Sequence, residues 1–289
     1  MKCLIVGCGY VGLALGLELR RLGHTVYGMQ RGGSAELLAA GIQPVLADIT
    51  QPALLAKLPA DFDWVINCAA SAGGSVDEYR RLYIEGNRNL ALWLARAPLK
   101  KFVYTSSTSV YGQTDGSFVT ETSPAEPAEE TSQALVAAER VLQDAATKGK
   151  LPAVILRVAG IYGPGRGHWF KQFVRGEARI EGDGSRWLNM IHRDDVVGAI
   201  IAALEHGRAG EVYNAADNEP VTQLQFFEWL AEKLNQPLPP KVPAEEIARR
   251  KRGVTNKRVS NEKLRRELKY VFRFPDFRAG YAAEIHDRI

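Results

Sequence analysis

The sequence predicts an α/β protein: a doubly wound parallel sheet with helices on both faces, carrying a smaller C-terminal lobe. Short β-branched runs alternate with longer amphipathic stretches as far as residue 214. The runs (LIV, WVI, FVY, AVIL) are apolar from end to end, as strands covered on both faces require. A glycine-rich turn joins the first run to the first helical stretch. Strand and helix alternating in this way place helices over both sides of a parallel sheet.

In chain order, strands are expected at 2–6, 25–29, 43–46, 64–67, 101–105, 152–157 and 211–214. Helices are expected at 10–22, 34–40, 51–58, 76–97, 132–146 and 194–206, where apolar residues recur at helical spacing. After Arg157 the rhythm breaks. Residues 160–184 are glycine-rich with interspersed aromatics, and 221–289 hold polar helical stretches separated by Pro237, Pro239, Pro240, Pro243 and Pro275. The expected division is a sheet domain of residues 1–159 rejoined by 191–216, and a substrate lobe of 160–190 and 217–289. Internal repeats and low-complexity tracts are absent.

A formal net charge of +4, with 24% charged and 46% hydrophobic residues, is ordinary for a globular chain. So small a surplus suits an anionic cofactor or substrate but not a nucleic-acid-binding face, which needs basic residues clustered together. The dense basic run at 249–252 stands beside Glu245 and Glu246 and reads as a solvated helix end. Cys3, Cys8 and Cys68 lack metal-ligand spacing, and the five histidines form no i, i+4 pair, so no metal is expected. Residues 1–19 could pass for a secretory signal, but glycines at 7, 9 and 12 fit a strand, turn and helix better. No other stretch approaches the ~18 uninterrupted apolar residues of a membrane helix. The expectation is a soluble cytoplasmic protein with reduced thiols. It would be a monomer or homodimer acting on a small-molecule substrate, without nucleic-acid or membrane partners.

Residues 3–12 read CLIVGCGYVG, an apolar strand running into G-x-G-x-x-G and a helix. Gly7 serves the tight turn, Gly9 lets backbone approach a pyrophosphate, and Gly12 lets helix and strand pack closely. Tyr10 and Val11 open the helix whose positive dipole end faces the phosphates. This context makes a Rossmann dinucleotide site. At the end of the second strand, residues 27–34 read YGMQRGGS, with no carboxylate to grip ribose hydroxyls. Arg31 can instead accommodate a 2′-phosphate, which favours NADP(H) over NAD(H). Ser34 can cap the following helix.

Further motifs appear in order: ADIT at 47–50, NCAA at 67–70, YTSSTSVYG at 104–112, IYGPG at 161–165, MIHRDDV at 190–196 and YNAAD at 213–217. Together they make the chain similar, over nearly its whole length, to the extended short-chain dehydrogenases/reductases, a group that includes NAD-dependent epimerases and dehydratases. The resemblance places Asp48 and Ile49 beside the adenine. It places Cys68, Ala69, Ala70, Thr105 and Ser106 against the dinucleotide, and Ser107 at the substrate oxygen.

The family's acid/base pair is missing. A tyrosine, ordinarily with a pKa of ~10, is made useful at neutral pH by a lysine four residues on. Here those positions read Thr131 and Leu135; no tyrosine lies between 112 and 161, and none in the chain has lysine at +4. Tyr83 stands where the family's fourth-helix asparagine is expected, and Gly160 replaces the substrate-binding asparagine. These departures resemble the atypical subgroup. Ser107 is a candidate for orienting a carbonyl, or a strand-end serine capping backbone. Tyr83 is a candidate hydroxyl near the nicotinamide, or packs on Tyr79 one turn away. His192 is a candidate proton donor, or a buried imidazole bonded to backbone. Asp195 reads as the cap of the helix starting there. Arg166 and Arg186 could clamp an anionic substrate, or stand idle on loops.

Two readings remain: an oxidoreductase or epimerase/dehydratase-like enzyme for a small carbonyl or hydroxyl compound, or a catalytically inactive NADP(H) sensor or scaffold. Loss of the pair favours the second. Ser107 and the full substrate lobe favour the first, which is adopted.

Overall fold

The structure, a computed structural model, describes residues 1–71, 73–243 and 255–286. The expected basic run at 249–252 lies outside the described residues. Strands β1 (Lys2–Val6), β2 (Thr25–Gln30), β3 (Gln43–Leu46) and β4 (Trp64–Asn67) alternate with helices α1 (Tyr10–Arg21), α2 (Ala35–Ala39) and α3 (Pro52–Leu55). Next come α4 (Val76–Tyr79), α5 (Gly86–Leu94), β5 (Lys101–Ser107), β6 (Phe118–Val119), α6 (Glu130–Thr147), β7 (Ala153–Val158) and β8 (Gly160–Tyr162). The chain continues through α7 (His168–Val174), β9 (Ile180–Glu181), β10 (Trp187–Leu188), β11 (Met190–His192), α8 (Arg193–His206) and β12 (Val212–Ala215). The C-terminal part holds β13 (Val221–Thr222), α9 (Gln223–Leu234), β14 (Lys241–Val242), β15 (Arg258–Val259), α10 (Glu262–Leu268) and α11 (Phe277–His286).

Seven strands form one sheet in the order β12-β7-β5-β4-β1-β2-β3, every neighbouring pair parallel. This is the doubly wound fold expected. The chain leaves β1 towards β2 and β3, then returns to place β4 on the opposite side of β1. Helices diverge at that switch, so a crevice opens beyond the carboxyl ends of β1 and β4. β1, β4 and β7 are almost wholly buried, which is why their runs are uninterruptedly apolar.

The stretch expected as one helix at 76–97 departs from expectation. It is α4, a π-helical turn at Arg80–Glu85, and then α5. The wider turn changes the pairing of carbonyls inside the helix, and the buried Asn87 side chain donates to the Tyr83 carbonyl at 2.8 Å. Ser34 stands at the N-cap of α2 but makes no capping bond with its side chain, and α3 is shorter than the eight residues read for it.

Buried apolar side chains gather in two clusters. One surrounds the sheet; the other, around Phe170, Phe226, Phe227, Phe277 and Tyr281, lies under the lobe. Val259, Leu264, Leu268 and Phe272 side with the sheet cluster, so the chain after Asp217 is shared between both cores. β15 is stitched to each side. It pairs with β6 of the sheet unit, while Asn189 of the lobe donates to the Lys257 carbonyl at 2.9 Å and accepts from the Val259 amide at 2.7 Å. Among the described residues, no helix is long and apolar enough to cross a membrane.

Candidate active site

A cavity of about 600 Å³ opens in the crevice and runs from the glycine-rich turn to the lobe. Each glycine of the turn has its own reason. Gly7 lies at φ +86°, and an added Cβ would meet Ala69 backbone at 2.6 Å. A Cβ on Gly12 would lie 2.3 Å from the Gly7 carbonyl oxygen, where α1 crosses β1. Gly9, at the N-cap of α1, differs: nothing in the protein lies within 4 Å of its Cβ position. Space therefore stands open directly before unpaired helix amides, the arrangement that receives a pyrophosphate. The residues present fit a dinucleotide.

Of the residues read from sequence as cofactor ligands, Gly7, Gly9, Tyr10, Val11, Gly12, Cys68, Ala69, Ala70, Thr105 and Ser106 line this cavity. Asn67 orders the β4 exit: its Oδ1 accepts from the Ala69 amide at 3.1 Å and its Nδ2 donates to Asn87 at 2.8 Å. Arg31, Asp48 and Ile49 lie outside the cavity wall. Asp48 accepts from the Thr50 amide and hydroxyl, both at 2.8 Å, which folds the turn after β3. Arg31 is exposed beyond the end of β2 and makes no ion pair among the described residues. Burial pushes the Cys68 thiol up to about 12, so it faces the cavity as an unreactive group.

At the inner wall, Ser107 accepts from the Ser109 amide at 3.2 Å and also lines the cavity. The serine thus caps the backbone turn after β5 from a place on the cavity wall. Tyr83 is buried, packs on Tyr79 with ring centroids 5.2 Å apart, and accepts from the Ser71 amide at 3.0 Å. It still contributes to the cavity wall. Leu135, read from sequence as standing where the family has its lysine, is buried and lines the cavity; Thr131 does not reach it.

His192 does not line the cavity. Its Nδ1 accepts from the Asp194 amide at 3.2 Å, capping α8, and Phe274 covers the ring at 3.9 Å between centroids. Burial pushes its pKa down to about 4, which leaves the ring neutral and away from the chemistry. Asp195 corrects the reading from sequence. It does not cap α8 but accepts from the Tyr270 hydroxyl and the Arg273 and Phe274 amides at 2.7–2.9 Å, anchoring the C-terminal segment. Arg166 lies over the Tyr10 ring and Arg186 is forked onto Glu181; both line the cavity.

Two features escape the sequence reading. Arg157, in the buried strand β7, donates to Glu139 of α6 at 2.7–3.2 Å and to the Tyr111 hydroxyl at 2.8 Å. Ser106 also donates to Glu139, and Tyr111 to Asn214, so one buried network ties β5, α6, β7 and β12 together. A charged residue inside the run AVILRV was the signal available, because a buried arginine requires a partner. The other feature is Lys257, buried in the cavity wall. One lysine in a basic C-terminal stretch carries no local signal at all.

The family model described as NAD dependent epimerase/dehydratase family matches residues 3–216. Protein YeeZ of Escherichia coli (strain K12) is 29% identical over 287 residues, covering 95% of this chain and 97% of that protein. A 2-alkyl-3-oxoalkanoate reductase of Stenotrophomonas maltophilia (strain K279a) is 28% identical over 260 residues, covering 82% of this chain and 77% of that protein. In fold, the chain matches the UDP-glucuronic acid 4-epimerase of Bacillus cereus, solved with UDP-glucuronic acid and NAD. The TM-score is 0.83 at 23% identity, covering 100% of this chain and 98% of the other.

Proposed function

This chain belongs to the NAD dependent epimerase/dehydratase family, and from that premise we propose that it is an NADP(H)-dependent oxidoreductase of a small carbonyl or hydroxyl compound, working without a Tyr-x-x-x-Lys pair. The observation that carries the reading is the open space before Gly9 and the amides of α1, continuous with a cavity that Ser107 also lines. When bound, the dinucleotide gives or takes a hydride. The chain's own residues supply the rest. The glycine turn and α1 hold the pyrophosphate. Ser107 donates a hydrogen bond to the substrate oxygen and orients it, while water supplies the proton. Leu135 keeps the wall beside it dry. The reductase among the relatives supports a carbonyl substrate.

Arg31 supports the phosphorylated cofactor, because it is an exposed guanidinium at the end of β2 with no ion pair among the described residues. Calorimetry is expected to show NADPH binding at least ~10-fold tighter than NADH, about the contribution of a charge-assisted contact. Arg31→Ala should weaken NADPH and leave NADH nearly unchanged. Equal affinities in the native protein would remove the basis for the assignment.

Ser107→Ala should lower turnover of small ketones or aldehydes by roughly 10²-fold, the typical cost of one preorganised donor, with NADPH affinity held. NADPH absorbance is the readout. Thr131→Ala should leave turnover unchanged, since its side chain does not reach the cavity. If no carbonyl compound consumes NADPH, the enzymatic reading falls.

A further inference from the structure

The cavity is lined by three cations, Arg166, Arg186 and Lys257, and by no carboxylate among the described residues. The three are differently placed. Arg186 already holds Glu181, and Arg166 rests on an aromatic ring. Lys257 is 4% exposed, and its Nζ donates only to neutral acceptors: the Tyr111 carbonyl at 3.0 Å and the Thr255 hydroxyl at 2.6 Å. An ammonium carries three N–H bonds; the third has no acceptor among the described residues. Burying a charge without a counter-charge is costly, and proteins rarely retain one unless something binds it.

The placement is also rigid. On one side Asn256 donates its amide to the Gln113 carbonyl at 3.0 Å and accepts from the Gly116 amide at 2.9 Å. On the other, the Asn256 side chain accepts from the Trp187 amide at 3.0 Å, and Asn189 holds the Lys257 carbonyl. Lys257 is thus pinned between the sheet unit and the lobe, with its head held against the loop that follows Ser107.

We propose that Lys257 is the anion-binding residue of the cavity's substrate end, so that the compound handled there carries a carboxylate or phosphate oxygen seated on Nζ beside Arg186. This deepens the reading given under Proposed function and rests on it for what it says of the substrate. Anion binding at Nζ does not itself require the dinucleotide.

The groups facing Lys257 set its pH behaviour. Arg186 presents a like charge from the lobe, with Glu181 turned onto that arginine. His168 and Arg166 lie further round the wall. Tyr111 shows Lys257 only its carbonyl, its hydroxyl being engaged with Arg157 and Asn214. Burial, with a smaller contribution from Arg186, pulls the ammonium down to about 8. Lowered in this way, the group holds its proton below pH 8 and loses it above. Anion affinity should therefore be level below that value and fall about tenfold per pH unit above it. By linkage, a bound anion must raise the Lys257 pKa.

Lysine labelled with ¹³C and ¹⁵N allows the Nζ titration to be followed by NMR, with Lys257→Arg identifying the resonance. The protein is titrated with and without saturating NADP⁺, first alone, then with inorganic phosphate, then with malonate. The expected result is a midpoint near pH 8 that moves up by at least one unit with phosphate, malonate or both, and the larger shift names the group recognised. A midpoint that neither anion moves overturns the proposal. Phosphate affinity, read from tryptophan fluorescence with NADP⁺ bound, should fall at least ~10-fold in Lys257→Met and stay within ~3-fold in Lys257→Arg, since only the latter keeps the charge. Should the methionine variant fail to fold, the titration of the native protein decides by itself. Should NADP⁺ not bind, the cofactor reading fails, while the titration without it still tests Lys257.

Discussion

Gly9→Val is expected to abolish dinucleotide binding, a loss of at least ~100-fold or about 2.7 kcal/mol, in a protein that folds normally. The two halves of this expectation have separate causes. A Cβ at Gly9 meets no protein atom within 4 Å and the residue does not have a positive φ, so the branched side chain finds room and no backbone strain. The room it takes is where a pyrophosphate would approach the amides of α1. Gly12→Val provides the contrast. Its Cβ would lie 2.3 Å from the Gly7 carbonyl oxygen, so it should destabilise the fold itself. Calorimetry with NADPH, together with a thermal melt of each variant, checks both statements. Native-strength binding by Gly9→Val would reduce the glycines to a mere turn.

Glu139→Leu should cost the protein about 3–5 kcal/mol, because it strands the Arg157 guanidinium inside the sheet without its carboxylate. The pair is 7% and 2% exposed at its two side chains, so solvent cannot substitute for the lost partner. At ~2–4 °C per kcal/mol for a chain of this size, the melting temperature should drop by roughly 6–20 °C. Arg157→Leu combined with Glu139→Leu should recover much of that loss, since a buried pair replaced by apolar residues is often close to neutral. A single variant that melts with the native protein would mean that the network is not holding β5, α6 and β7 together.

What could be read from sequence and what could not follows from the range of the interactions. All seven sheet strands were legible: β1, β4 and β7 because burial on both faces leaves a continuous apolar run in the chain itself, and the edge strand β3, which has no buried residue, from its place in the strand–helix alternation. The three glycines were legible because a turn, a close approach and a crossing are local demands. The π turn at Arg80–Glu85 was not legible, for its sequence continues an ordinary helical pattern and the Asn87 side chain that serves it looks like any surface amide. The true work of Asp195 was hidden because its partners lie 75 or more residues away. Lys257 was hidden for the same reason, its acceptor Tyr111 being 146 residues distant.

The sharing of the C-terminal segment between the two cores bears on how such a protein can change over evolutionary time. Phe272 belongs to the sheet cluster and Phe277 to the lobe cluster, with β15 stitched to both units. The lobe is therefore not a cassette. No single cut in the chain frees it, and a fragment transplanted from a relative would leave behind the contacts that Val259, Leu264, Leu268 and Phe272 make with the sheet. Change in this part of the chain has to come by point substitutions, each tested against a fold that must remain whole.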